Sequence, residues 1–122
     1  MSYSFDHIAQ QVPNIAEAVQ WYQEHIPGTR VLFQDSTWAF IDAGGAKIAF
    51  VVKSEHPPHL AWRVSAEELE RLAIEYGKEI DVHRDKTRSF YLDGPGGNAI
   101  EIISVEGSPW ESLTVRVEPE MY

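Results

Sequence analysis

The stretch PHLAWRV, residues 58–64, decides how this chain is read. A histidine opens what otherwise reads as a buried strand. The same arrangement occurs earlier in DHIAQQV, residues 6–12. Shifting the chain by 52 positions lays His7 on His59, Ala9 on Ala61 and Val12 on Val64. The same shift lays Gly44 and Gly45 on Gly96 and Gly97, and Ile48 on Ile100. Ordered matches at one offset are the mark of an internal duplication.

Each copy reads βαβββ. The opening strand runs into a helix start, Asn14 with Glu17 in the first copy and Ser65 with Glu68 in the second. A capping residue followed three places later by Glu satisfies the orphan N–H groups of a first turn. Ile15, Ala18, Val19, Tyr22 and Ile26 then share one helical face, as do Leu69, Leu72, Ala73 and Tyr76. IPG at 26–28 and Gly77 stop the helices. Strands are expected at 30–34, 37–42 and 46–53, and again at 79–84, 88–92 and 98–104. The turns DAGG (42–45) and DGPGG (93–97) precede the last strand of each copy. The expectation is a single α+β domain over 1–122, with modules at about 4–53 and 56–104. A C-terminal extension, 105–122, holds an extra strand at 112–117.

Strand side chains alternate between faces. Ile8 and Val12 suit the helix side, which leaves His7, Ala9 and Gln11 opposite. Leu60, Trp62 and Val64 take the helix side in the second copy, leaving His59, Ala61 and Arg63 opposite. Ile100 and Ile102 do the same, leaving Ala99, Glu101 and Ile103. His7, His59 and Glu101 thus share the inner face of the sheet. A carboxylate there is costly without a partner. Two imidazoles and one carboxylate form a metal-ligand set with positions open for water and substrate. Duplication would put a fourth ligand at the mate of Glu101, but that residue is Ala49.

Composition narrows the partners. Ten basic residues against 19 acidic ones give a net charge of −9, which disfavours nucleic acid and anionic membranes. Cysteine is absent, which removes disulfides and thiolate chemistry. No apolar run approaches the ~20 residues that span a bilayer. MSYSFDH lacks the basic and apolar regions of a signal peptide, so a soluble cytoplasmic protein is expected.

Across residues 4–104 the chain resembles the vicinal oxygen chelate superfamily, which includes glyoxalase I, fosfomycin-resistance transferases, extradiol dioxygenases and bleomycin-resistance proteins. The resemblance is carried by His7, by AVQWYQEHIPG (18–28), by His59 and by FYLDGPGGNAIEI (90–102). His83, Phe90, Tyr91, Pro95, Gly96 and Glu101 are similar in spacing to the extradiol signature. The resemblance implies incomplete barrels and a divalent ion (Fe, Mn, Zn, Ni or Co) on His7, His59 and Glu101. It also implies a homodimer, often with modules of both chains around one metal. The activity implied is of lyase, transferase or extradiol dioxygenase type on a small oxygen-rich metabolite. The alternative is metal-free drug sequestration of the bleomycin-resistance kind.

Strand parity adds candidates around the metal set. Tyr91 and His83 are candidate catalytic groups. Arg63, Gln11, Trp38 and Phe40 are candidate substrate contacts. His25, at a helix C-terminus, is read as a dipole partner. His56, in the loop SEHPPH, is read as solvent-facing. Trp110 is read as a tail or dimer anchor, and the acidic run at 66–79 as a solvated helix face.

Overall fold

Two copies of one strand pattern combine here into a single eight-stranded sheet. The structure, a computed structural model, describes residues 2–53 and 56–113. The first module is β1 (Ser4–Gln11), α1 (Ile15–His25), β2 (Arg30–Gln34), β3 (Trp38–Ala43) and β4 (Ala46–Val51). The second is β5 (His59–Arg63), α2 (Ala66–Tyr76), β6 (Asp81–Val82), β7 (Arg88–Asp93) and β8 (Ala99–Ser104). The sheet order is β2-β3-β4-β1-β5-β8-β7-β6. The duplication is visible in the pairing. β1 runs parallel to β4 as β5 does to β8, and β1 and β5 join the modules antiparallel.

The helices start where their caps dictate. Asn14 Oδ1 accepts from the Glu17 N–H at 2.9 Å, and Ser65 Oγ accepts from the Glu68 N–H at 3.1 Å. Such a cap is worth about 1 kcal/mol. Gly77 ends α2 in the left-handed region at φ 66°, a conformation that costs glycine little. Each helix covers its own core. α1 lays Ile15 and Val19 on Ala39, Ile41, Ile48 and Phe50. α2 lays Leu69, Leu72 and Ala73 on Val64, Phe90 and Ile102. Alternation sends Trp38, Phe40 and Ala49 to the other face, away from the helices.

That other face closes on itself. Arg84, in the loop after β6, bonds to Thr37 Oγ1 at 3.2 Å and lies 3.5 Å from Asp35, in the loop after β2. The two loops belong to opposite ends of the sheet, so the sheet curls into an open barrel. Both loops use one device. Asp35 Oδ1 accepts from the N–H and hydroxyl of Thr37, and Asp85 Oδ1 from those of Thr87.

Three expectations need revision. β6 is two residues long, not the expected 79–84, because the chain turns at His83. The His83 N–H bonds the Thr87 carbonyl, the Lys86 N–H bonds the His83 carbonyl, and Lys86 takes φ 73°. β4 stops at Val51 rather than residue 53. Glu111–Leu113 form a single 3-10 turn, and residues 114–117 of the expected extra strand lie outside the described residues.

Gly94 opens the turn before β8. A Cβ there would lie 2.5 Å from Ile100 Cγ1 and 2.8 Å from the Asn98 carbonyl oxygen. Gly94→Ala is therefore expected to cost about 1–3 kcal/mol in urea denaturation, the range for overpacking.

Candidate metal centre

Strand register brings the three donors together. In the antiparallel β1–β5 pair, His7 stands opposite Ala61 and His59 opposite Ala9. The parallel β5–β8 pair puts Glu101 beside Ala61. Each imidazole thus has an alanine as its direct neighbour, and the rings meet diagonally with centroids 5.6 Å apart. His7, His59 and Glu101 are 8%, 8% and 3% exposed. His59 Nε2 lies 3.1 Å and His7 Nε2 3.6 Å from the same oxygen, Glu101 Oε1. One donor atom from each residue falls within 4.8 Å of the others.

The far side of each ring is also fixed. His59 Nδ1 donates to the Pro57 carbonyl at 2.7 Å, and His7 Nδ1 lies 2.6 Å from Asp6 Oδ2. A carbonyl can only accept, so His59 Nδ1 carries a proton, and in both rings Nε2 is the nitrogen turned to Glu101: protonated, it donates to the carboxylate, and deprotonated, it offers its lone pair to an ion. Burial would raise the Glu101 carboxyl. The hydrogen bond from His59 and the charges of His7 and His59 outweigh it and hold the group at about 2. Burial would lower His7. The Asp6 bond, with the charges of Glu101 and Asp6, raises it above its ordinary value instead. Two imidazole nitrogens and one ionised carboxylate oxygen, oriented from behind, fit a divalent transition-metal ion.

A second arc of groups faces the donors across a cavity of about 320 Å³. Glu101 Oε2 lies 3.6 Å from His83 Nε2, which is held by Ser89 Oγ at 2.7 Å. Tyr91 stands opposite Glu101 in the β7–β8 register, and its hydroxyl lies 3.4 Å from His56 Nδ1. Burial and the charge of Glu101 push the Tyr91 phenol well above its usual range, so it stays protonated. Trp38 and Phe40 form the apolar wall with Trp110. The Trp110 ring packs 5.1 Å from Phe40, and its Nε1–H donates to Asp85 Oδ2 at 2.8 Å.

Of the sequence candidates, His7, His59, Glu101, Tyr91, His83, Trp38 and Phe40 line this cavity; Arg63 and Gln11 do not. Arg63 turns to Asp6 Oδ1, donating from Nε at 3.0 Å. Gln11 is exposed and donates to the His56 carbonyl at 2.9 Å. That bond draws the 56–58 loop over the sheet. His56 is consequently in the cavity wall, not in solvent as expected. Asp6 also escapes strict alternation. A bulge between Phe5 and His7 turns Asp6 to the inner side with His7, where it lines the cavity. Trp110 is a tail anchor within this chain.

No protein-family model and no curated protein matches the chain. Solved structures do. A glyoxalase/bleomycin resistance protein/dioxygenase superfamily member from Vibrio splendidus 12B01 matches with TM-score 0.57 and 13% identity, over 83% of this chain and 99% of that one. A variant of homoprotocatechuate 2,3-dioxygenase from B. fuscum matches with TM-score 0.63 and 16% identity, over 81% of this chain and 33% of that one. The Mn(II)-bound glyoxalase from Novosphingobium aromaticivorans matches with TM-score 0.60 and 22% identity, over 83% and 37%. The fold is that of the vicinal oxygen chelate superfamily. This chain spans about a third of the length of the dioxygenase and the glyoxalase it matches. The three candidate donors lie together within one chain, His7 from the first module and His59 and Glu101 from the second. No helix among the described residues is long and apolar enough to cross a membrane.

Proposed function

We propose that the chain is a divalent-metal-dependent enzyme that binds a small metabolite through its oxygens. The convergence of His7, His59 and Glu101 on one point of the cavity carries the reading. Three protein donors leave positions open for substrate and water. A two-histidine, one-carboxylate set with open positions is the one non-haem Fe(II) oxygenases use. Fe(II) is therefore the first ion to try, before Mn, Zn, Ni or Co. The ion would polarise substrate oxygens and stabilise the negative charge that develops on them.

The chain's own residues supply the rest. Asp6 and the Pro57 carbonyl hold the rings so that both Nε2 atoms face the donor point. Tyr91, kept protonated, donates a hydrogen bond to a substrate oxygen. His83, steadied by Ser89, takes or returns a proton. Trp38, Phe40 and Trp110 hold the apolar body of the substrate and keep water out. The proposal includes a cytoplasmic setting, and a homodimer for which the exposed apolar residues Phe5, Phe33 and Leu60 offer contact surface. Light scattering should read twice the 13.9 kDa of one chain.

Metal analysis of protein purified without chelator tests the reading. About one divalent ion per chain is expected, lost in His59→Ala. A content near zero, with no rebinding, overturns it. The aromatic wall beside Asp85 favours one second reading, metal-free sequestration of a cationic aromatic compound. It requires that such compounds raise the melting temperature in EDTA, and that they do so equally in Glu101→Gln.

A further inference from the structure

Two buried charges beside the donors are not themselves in the donor set. Asp6 is 5% exposed and uses both oxygens. Oδ2 meets His7 Nδ1 at 2.6 Å, and Oδ1 accepts from Arg63 Nε at 3.0 Å and from Arg63 Nη2. Arg63 Nη1 is buried with no partner among the described residues. A buried ion pair often returns less in attraction than it costs in desolvation. An orphaned guanidinium nitrogen makes this pair poorer still. Stability is therefore a weak account of it.

Local geometry gives a better one. The bulge after Phe5 sets Asp6 beside its neighbour's ring instead of on the helix side. The carboxylate is then clamped from across the β1–β5 pair by Arg63. Among the described residues, His59 has the Pro57 carbonyl behind it and no carboxylate. A carboxylate behind an imidazole fixes the tautomer and raises the basicity of the far nitrogen more than a neutral carbonyl does.

We infer that Arg63 and Asp6 are positioning residues for His7: Arg63 pins the Asp6 carboxylate, and Asp6 keeps the proton on His7 Nδ1, so that Nε2 is presented as the stronger of the two imidazole donors. This rests on the metal-centre reading above. Because Arg63 balances Asp6, the relay strengthens His7 without adding net charge beside Glu101. The sign of one substitution separates this role from plain electrostatics. Charge alone says that removing a cation near a cation site tightens metal binding. Loss of the clamp says that it loosens it.

The test pairs 15N NMR of the histidine rings with zinc titration, in wild type, Asp6→Asn, Arg63→Met and Arg63→Lys. In metal-free protein at alkaline pH, where the rings are neutral, wild-type His7 is expected as the Nδ1–H tautomer. In Asp6→Asn, Arg63 claims the amide oxygen and turns the NH₂ toward His7. The His7 proton then moves to Nε2, and zinc affinity falls about a hundred-fold. Arg63→Met lowers affinity about ten-fold, and Arg63→Lys recovers part of that loss. The His59 signals stay as in wild type throughout, which a collapsed site would not allow. An unchanged His7 tautomer in Asp6→Asn, or unchanged or tighter zinc binding in Arg63→Met, overturns the inference. Should Arg63→Met fail to fold, Asp6→Asn carries both readouts alone. Zinc that does not bind wild type overturns the metal reading, and the tautomer data still decide the relay.

Discussion

Glu101→Gln is expected to weaken divalent-metal binding about a thousand-fold, roughly 4 kcal/mol. Both Nε2 atoms face one oxygen of this side chain, so it is the only anionic donor in the set. An amide supplies a weaker oxygen and no charge to offset the ion. Competition against a chromophoric chelator reads the change. The substitution has a second signature in the metal-free protein. The folded Glu101 carboxyl is held at about 2, below its unfolded value. A lowered carboxylate stabilises the fold fully above the unfolded value, and that contribution is lost as pH falls toward the folded one. Wild type should therefore lose about 3 kcal/mol between roughly pH 4.5 and pH 2 from this group. Glu101→Gln should show a flatter acid limb. His7 works in the opposite sense. Its raised value stabilises the metal-free fold below the ordinary histidine range, and the effect fades as pH climbs through the folded value. Metal binding displaces protons from the rings, so metal affinity should rise with pH.

Phe50→Ala and Phe90→Ala are each expected to cost about 3–5 kcal/mol. Each ring is 1% exposed and lies under a different helix. Phe50, on β4, packs beneath α1 with its centroid 5.3 Å from Tyr22. Phe90, on β7, packs beneath α2. Two separate cores could suggest two independent units. The sheet argues otherwise, because β1 and β5 pair directly and the donor set takes residues from both modules. Urea denaturation should show one transition in both variants, with the midpoint lowered. Two transitions, each answering to only one substitution, would show the modules to be separable.

The shared face of His7, His59 and Glu101 could be read from the chain because strands have a two-residue period and the duplication supplies a second copy to check against. His7, His59 and Glu101 all obey parity, and so do Trp38 and Phe40 on the cavity wall. The helices were equally plain, since Asn14 and Ser65 cap them through local bonds. What escaped the sequence has a physical cause in each case. Asp6 is not among the sequence candidates, because strict alternation puts it opposite His7 and a bulge leaves no trace in side-chain pattern. His56 reads as solvent-facing because the sequence does not show its loop held inward by Gln11, 45 residues away. Arg63 reads as a substrate contact because parity puts it on the His59 face and does not show that Asp6 meets it there. Trp110 lies beyond the repeat and had no mate to position it. Parity assigns a face, but it does not report a long-range hydrogen bond or a slip in register.

Crystallography of the metal-loaded protein, with anomalous scattering to locate the ion, tests the central claim most directly. The account predicts one ion about 2.0–2.2 Å from His7 Nε2, His59 Nε2 and a Glu101 oxygen of a single chain. An ion bound elsewhere would contradict it. So would a metal-soaked crystal in which the three side chains hold only one another.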